Sequence, residues 1–228
     1  MNEGSSLRKA YRLMLDHYGH QKWWPADSPF EVCIGAILTQ NTAWSNVTKA
    51  IENLKRNNVL APSKLYALDE DVLARLIRPS GYYNIKATRI RNFLKVLLID
   101  YHGDLGAMLR GPTLQVRNRI LAIKGVGKET ADCILLYAGT QPSFVVDAYT
   151  LRIFSRHGWC EDSASYDTLQ SICSAKLGHR DPEIRIDLWR DFHAQLVNVG
   201  KDFCRPRDPR CNNCPLRPLL PVACRRST

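Results

Sequence analysis

The apolar residues of this chain recur every three or four positions along most of its length, which is the spacing of one buried face of an α-helix. The first such stripe covers residues 7–18, with Ser5 as a candidate N-cap and Gly19 as the residue that ends the helix. Residues 30–38 are apolar on every side, which predicts a buried helix. No segment keeps the strict alternation of a half-buried β-strand, so the pattern predicts an all-α protein.

Later segments repeat the helical spacing, at residues 44–54, 63–67, 69–77, 84–98, 149–156, 166–177 and 184–199. In the fourth of these, Asn84 is a candidate N-cap. The polar face of that helix carries basic residues, and such a face is usually solvated. These residues are Lys86, Arg89, Arg91 and Lys95. A loop is predicted directly before it at residues 79–81, from the sequence Pro-Ser-Gly.

Two glycines interrupt the helical pattern near the middle of the chain. Residues 117–121 end one helical stretch, residues 130–137 begin another, and Gly125 and Gly127 lie between them. Glycines on both sides of Val126 leave backbone N–H groups exposed at a helix N-terminus, an arrangement that can bind a phosphate. An ordinary helix–turn–helix connection would have the same three residues, so this motif alone leaves both interpretations open.

The charge of the chain favours a polyanionic partner. The 228 residues carry a formal net charge of +10 with a pI of about 9.3, and basic side chains that neutralise phosphates drive binding to nucleic acids. No apolar run is long enough to cross a membrane, and residues 1–6 lack the pattern of a signal peptide. We therefore expect a cytoplasmic protein that has no membrane partner.

Cysteines fall into two groups. Disulfides are rare in the cytoplasm, so the scattered cysteines are expected to be small buried apolar residues. They are Cys33, Cys133, Cys160 and Cys173. The others form the pattern Cys204-x6-Cys211-x2-Cys214-x9-Cys224, whose CxxC core is typical of a metal site. The spacing leaves zinc and an iron–sulfur cluster as alternatives, because both take four cysteines.

The glycine hairpin, together with Asp147 in the sequence Val-Val-Asp, resembles the LxxGVGxxTA hairpin and catalytic aspartate of the helix–hairpin–helix DNA glycosylases of the endonuclease III superfamily. The resemblance continues through residues 38–42 (LTQNT), 81–87 (GYYNIKA) and the cysteine tail. It implies two helical domains with the active-site cleft between them. The six-helix barrel with the hairpin would cover residues 27–140. Residues 1–26 and 141–228 would form the second domain, which carries the cluster loop.

The same resemblance implies a [4Fe–4S] cluster rather than zinc, because the family ends in the pattern C-x6-C-x2-C-x5-C. Cys204, Cys211, Cys214 and Cys224 would be its ligands. The last spacer has nine residues here instead of five, so Cys224 is the ligand that departs from the family pattern.

Roles in DNA binding and chemistry are also implied by the resemblance. Asp147 would stabilise the oxocarbenium-like transition state of base release. Gln40 would fill the space left by the extruded base, and Tyr82 would wedge into the opposite strand. The hairpin would bind the DNA backbone through Gly125, Gly127, Lys128 and Thr130.

One position separates the branches of this superfamily. Bifunctional members have a nucleophilic lysine where this chain has Glu129, so a monofunctional enzyme is predicted. The segments WWP, LTQNT, RPSGYYN and GVGKETAD are similar to the 3-methyladenine DNA glycosylase branch. That similarity implies an aromatic pocket for an alkylated purine, which is cationic and attracted to π-faces. The pocket would be lined by Trp24, Pro25, Trp44, Glu129 and Lys201. Lys201 matches a modified lysine of a member that lacks the cluster.

The expected function is therefore hydrolysis of the N-glycosidic bond of a flipped, damaged base in double-stranded DNA, by a monomer associated with the nucleoid. Three alternatives remain open at this point. They are a bifunctional glycosylase and AP lyase for oxidised pyrimidines, a mismatch uracil or thymine glycosylase, and a non-catalytic DNA-binding module.

Overall fold

A computed structural model describes residues 3–221, with side chains from residue 6 onwards. This part of the chain contains no β-strand, so the predicted all-α class is confirmed. None of its helices is long and apolar enough to cross a bilayer. Its α-helices are α1 (Glu3–Tyr18), α2 (Pro29–Leu38), α3 (Trp44–Arg56), α4 (Pro62–Ala67), α5 (Glu70–Leu76), α6 (Tyr83–Asp100), α7 (Leu105–Met108), α8 (Thr113–Leu121), α9 (Lys128–Cys133), α10 (Ala148–Arg156), α11 (Tyr166–Lys176) and α12 (Pro182–Asp202).

The chain divides into two compact units. The continuous unit spans Ala26–Gln141 and contains α2 to α9. The discontinuous unit combines the chain up to Pro25 with the chain from Pro142, and contains α1, α10, α11 and α12. In the discontinuous unit α1 packs against α11 and α12, and α10 packs against α12.

Helix α2 forms the centre of the continuous unit, and its buried position confirms the prediction from its all-round apolar sequence. Every residue from Phe30 to Leu38 is buried, and the helix packs against α3, α6 and α9. Ser28 begins it, because the Ser28 side chain accepts a hydrogen bond from the Glu31 backbone N–H at 3.2 Å. Pro29 occupies the first helical turn, where its missing N–H has no intrahelical partner to lose.

Some predicted boundaries are wrong. Helix α1 begins at Glu3, so Ser5 lies inside it rather than capping it. Asn84 is the second residue of α6, and the cap position belongs to Tyr82, whose φ of 45° is left-handed. The loop predicted at residues 79–81 is largely a 3₁₀ turn, Arg78–Ser80.

The helix after the hairpin changes its hydrogen bonding partway along. Helix α9 ends at Cys133 and continues as a π-helical segment, Ile134–Ala138, in which the Gly139 N–H donates to the Ile134 carbonyl at 2.9 Å. Such segments leave no trace in apolar periodicity, and they are common at functional sites.

Candidate functional site

The hairpin between α8 and α9 is a tight turn at the surface of the continuous unit. The Val126 N–H donates to the Ile123 carbonyl at 3.0 Å, and Gly125 has a φ of 95°. Helix α9 begins directly after Gly127, and its first two residues, Lys128 and Glu129, are exposed. The start of this helix, with its N–H groups, therefore lies at the protein surface.

Gln40 joins this hairpin although it is far away in the sequence. Its Nε2 donates to the Thr130 Oγ1 at 2.9 Å and to the Gly125 carbonyl at 3.1 Å, and its Oε1 accepts from the Arg89 guanidinium. The structure thus brings together Gln40, Gly125 and Thr130, three residues predicted to contact DNA. Their role in binding DNA stays a prediction.

Replacing Gly125 with alanine is expected to lower the free energy of unfolding by about 1–3 kcal/mol, because a side chain is strained at this positive φ. The added Cβ would also lie 3.1 Å from Arg89 Cδ and closer still to Cγ, displacing the arginine that holds Gln40. Gly127→Ala is the matched control, since Gly127 has a φ of −92° and no atom within 4 Å of the added Cβ. Urea unfolding measures both variants, and equal losses would contradict the prediction.

Tyr82 stands at the exposed end of the loop before α6. Its side chain is 67% exposed, and the neighbouring Ile85 is 54% exposed. At this exposure the Tyr82 side chain is accessible to another molecule. The position suits the predicted wedge, which stays a prediction.

Asp147 is the N-cap of α10 in the discontinuous unit. Its Oδ1 accepts hydrogen bonds from the backbone N–H of Thr150 at 2.7 Å and from the Thr150 Oγ1 at 2.8 Å. Its Oδ2 lies 3.6 Å from the Nε2 of His193, and the Asp147 side chain is 11% exposed. Burial alone would raise the pKa of Asp147, but the His193 imidazole and the Thr150 donors outweigh it and hold that pKa below its usual value.

Thr150 and His193 are the partners of Asp147 that sequence reasoning missed. Thr150 follows Asp147 by three residues, which is the spacing between a capping side chain and the N–H it binds, so a capping search would have found it. His193 is 46 positions later in α12 and is buried, and its neighbours in the sequence give no signal of this contact.

The residues predicted to line the base pocket belong to both units. Trp24, Pro25 and Lys201 are in the discontinuous unit, whereas Trp44 and Glu129 are in the continuous one. Both tryptophans are half-buried, and the other three residues are exposed. The Trp24 ring lies 5.7 Å from that of its neighbour Trp23, centroid to centroid. A shared pocket formed by these residues stays a prediction.

Three of the four tail cysteines lie within the described residues, namely Cys204, Cys211 and Cys214. Cys204 is buried, and its Sγ accepts a hydrogen bond from Arg156 Nη1 at 3.3 Å. Burial raises the pKa of the Cys214 thiol to about 11, with smaller contributions from Cys204 and Cys211. A sulfur that accepts an N–H hydrogen bond is compatible with a ligand of an iron–sulfur cluster, since hydrogen bonds to the cluster sulfurs are usual there.

The structure does not complete this ligand set. Cys224 lies outside the described residues. Within residues 3–221, no group of three or more His, Cys, Asp or Glu side chains is arranged to hold a metal ion, and this includes Cys204, Cys211 and Cys214. Of the scattered cysteines, Cys33, Cys133 and Cys173 are buried as predicted, and Cys160 is half-buried.

The chain is similar to known DNA repair proteins. The family described as HhH-GPD superfamily base excision DNA repair protein matches residues 34–178. A protein of Methanocaldococcus jannaschii, named as a candidate DNA repair glycosylase, is 47% identical over 95% of this chain and 96% of its own length. Endonuclease III of Thermotoga maritima is 30% identical over 83% of this chain and 81% of its own length.

Solved structures with the same fold include glycosylases bound to their ligands. The 3-methyladenine DNA glycosylase MagIII of H. pylori, bound to 1,N6-ethenoadenine, has a TM-score of 0.76 and 29% identity, covering 88% of this chain and 98% of that one. A trapped covalent intermediate of endonuclease III and DNA has a TM-score of 0.83 over the whole of both chains. At 22% identity, the second comparison shows the fold alone.

Proposed function

The chain belongs to the HhH-GPD superfamily of base excision DNA repair proteins, as a DNA glycosylase of the endonuclease III family, and we propose that it releases alkylated purines such as 3-methyladenine without cutting the strand. The proposal that the protein does not cut the strand rests on Glu129. It occupies the position at which bifunctional relatives have their nucleophilic lysine, directly before Thr130 and Ala131.

Lys128 does not replace the missing nucleophile. Lys128 and Glu129 are the first two residues of α9, and successive side chains on a helix point about 100° apart. An amine on Lys128 therefore points in a different direction from a side chain at position 129. A phosphate contact near the start of α9 is the role that we propose for Lys128.

Asp147 is the proposed catalytic group. Hydrolysis of the bond between base and sugar develops positive charge on the sugar, and a fixed carboxylate stabilises that charge. Thr150 fixes one oxygen of Asp147, and the lowered pKa keeps the group ionised at neutral pH. An alkylated purine is already a good leaving group, so stabilisation of the sugar by one carboxylate suffices for its release.

Double-stranded DNA with a damaged base is the proposed partner. The proposal is supported by the charge of +10, the exposed start of α9 and the exposed Tyr82, together with membership of a family of base excision DNA repair proteins. Trp24 and Trp44 are each half-buried, and the π-face of either residue would attract a cationic base.

A [4Fe–4S] cluster is the proposed cofactor, with Cys204, Cys211, Cys214 and Cys224 as its ligands. The spacing of the cysteines, which resembles that of the endonuclease III family, and the Arg156 N–H on Cys204 support this choice. When bound, the cluster would contribute to the folding of the tail rather than to the chemistry on DNA.

We predict that wild-type protein treated with abasic duplex DNA and borohydride forms no covalent adduct, because no lysine occupies position 129 to form the imine that borohydride traps.

Lys128→Ala should weaken DNA binding and lower the slope of log affinity against log salt by about one, while base release continues. Lys64→Ala, at another exposed lysine of the same unit, is the control for DNA binding. An adduct that Lys128→Ala removes would instead indicate a lyase.

The proposed substrate is tested by measuring the rate of free base release from DNA that carries different lesions. The panel contains 3-methyladenine, oxidised pyrimidines, and thymine or uracil mismatched with guanine. We expect the alkylated purine to be released fastest, and exclusive release of an oxidised pyrimidine or a mismatched base would overturn the proposal.

A further inference from the structure

Lys86 is a buried lysine that the chemistry proposed above does not use. It is 1% exposed, although the sequence pattern places it on the solvated face of α6. Its Nζ donates to the Leu38 carbonyl at 2.8 Å, the Thr42 Oγ1 at 2.7 Å and the Ser80 carbonyl at 2.6 Å. These acceptors use all three of the protons on the ammonium group.

The acceptors of Lys86 belong to two separate segments. Leu38 and Thr42 lie on either side of Gln40, and Ser80 is in the turn that leads to Tyr82. The backbone of Lys86 also belongs to this arrangement, because its N–H donates to the Tyr82 carbonyl at 3.0 Å. One residue thus contacts both sides of the Gln40 segment and two points of the Tyr82 turn.

Burial of this ammonium costs free energy that its neutral partners offset only in part. None of the three acceptors carries a charge, and burial together with the nearby Arg89 lowers the pKa of Lys86 to about 8. An apolar residue would fill the same volume without this cost, but it could not bind three oxygens at fixed positions. Near-complete burial also prevents the amine from attacking a sugar.

We propose that Lys86 is a positioning residue that fixes the Gln40 segment and the Tyr82 turn relative to each other, so that both side chains enter the duplex together. This inference rests on the proposed function, in which Gln40 fills the vacated space and Tyr82 wedges into the opposite strand. Extrusion of the base would then depend on Lys86, whereas cleavage of the bond to an extruded base would not.

Lys86→Met tests this proposal, because methionine keeps most of the volume and removes all three hydrogen bonds. Lys64→Met, which removes an exposed lysine of the same unit, is the matched control. Single-turnover release is measured on two duplexes, one with the damaged base normally paired and one with it mismatched, which costs less to extrude. We expect Lys86→Met to slow release from the paired duplex by about tenfold and to slow the mismatched one much less.

Hydrogen exchange of the free protein gives a readout that needs no DNA. Exchange in Lys86→Met should rise at residues 39–42 and 80–83, while α8 keeps its protection. Thr42→Val removes one of the acceptors of Lys86 and also the hydrogen bond that the Thr42 hydroxyl donates to the Ser80 carbonyl, so it should show a change of the same kind. It keeps the test available if Lys86→Met does not fold. The combined variant should lose less than the sum of the two, because both remove the same bond.

Two results would overturn the inference. One is an equal loss on both duplexes, which indicates general destabilisation. The other is unchanged exchange at both segments in Lys86→Met and Thr42→Val. Failure of the proposed function is seen separately, as the absence of base release by wild-type protein on every lesion, and the exchange result still tests the link between the segments.

Discussion

Asp147→Asn is expected to reduce single-turnover base release by about 100-fold or more, while affinity for damaged duplex DNA stays close to that of wild type. Asparagine keeps the shape of the side chain and is as good an N-cap as aspartate, so the start of α10 should be preserved. What the substitution removes is the negative charge, and the transition state depends on that charge. Binding of intact DNA does not.

A second N-cap aspartate in the same unit provides the matched control. Asp181 begins α12, and its Oδ1 accepts from the Glu183 N–H at 2.8 Å and the Ile184 N–H at 3.3 Å. Asp181→Asn removes the same charge from an equivalent capping position, but one with no proposed part in catalysis. Near-normal base release by Asp147→Asn, or an equal loss in Asp181→Asn, would refute the catalytic assignment.

The contact between His193 and Asp147 could not be predicted from the sequence around either residue. Asp147 was recognisable because the resemblance covers its neighbours, and its cap partner Thr150 is only three residues away. The imidazole that helps to keep it ionised comes from α12, and no local pattern predicts that two helices will place these groups 3.6 Å apart. Electrostatics at this site therefore depends on packing that only the fold reveals.

In the continuous unit too, features that depend on neighbouring residues could be predicted from the sequence, whereas a contact between distant residues could not. Helix α2 could be predicted because apolar residues on every side of a helix require burial on every side. The hairpin could be predicted because Gly125 adopts a backbone angle that favours glycine. Lys86 could not, since its charge predicts exposure, and the carbonyls that hold it come from residues 38 and 80. Three hydrogen bonds hold Lys86 in the interior, although lysine side chains usually lie at the surface.

For the cysteine tail, the proposed cofactor rests mainly on the resemblance to the family and little on the geometry of the structure. The CxxC core indicates a metal but not which one, and three of the four predicted ligands are described. The Arg156 N–H on Cys204 is compatible with a cluster ligand, because hydrogen bonds to sulfur are usual at iron–sulfur clusters, but it does not distinguish iron–sulfur from zinc. The choice between iron–sulfur and zinc is therefore open to a direct experiment.

Protein purified without oxygen is expected to be brown, and Cys204→Ala is expected to lose the colour together with much of its stability. The free energy with which a metal site binds its metal is in part free energy of folding, so loss of a ligand should cost several kcal/mol of unfolding free energy. Iron content, visible absorption and thermal unfolding measure the effect. Cys160→Ala, at a half-buried cysteine outside the tail, is the control and should remain brown.

Cys224→Ala completes the test of this cofactor, because Cys224 is the predicted fourth ligand and follows a spacer four residues longer than that of the family. If it is a ligand, its loss should reduce iron content and stability as Cys204→Ala does, since all four thiolates hold the cluster. A brown Cys224→Ala protein with unchanged iron would show that the fourth ligand is another group. A colourless wild-type protein with one zinc ion per chain would refute the iron–sulfur proposal itself, while leaving the prediction for Asp147 in force.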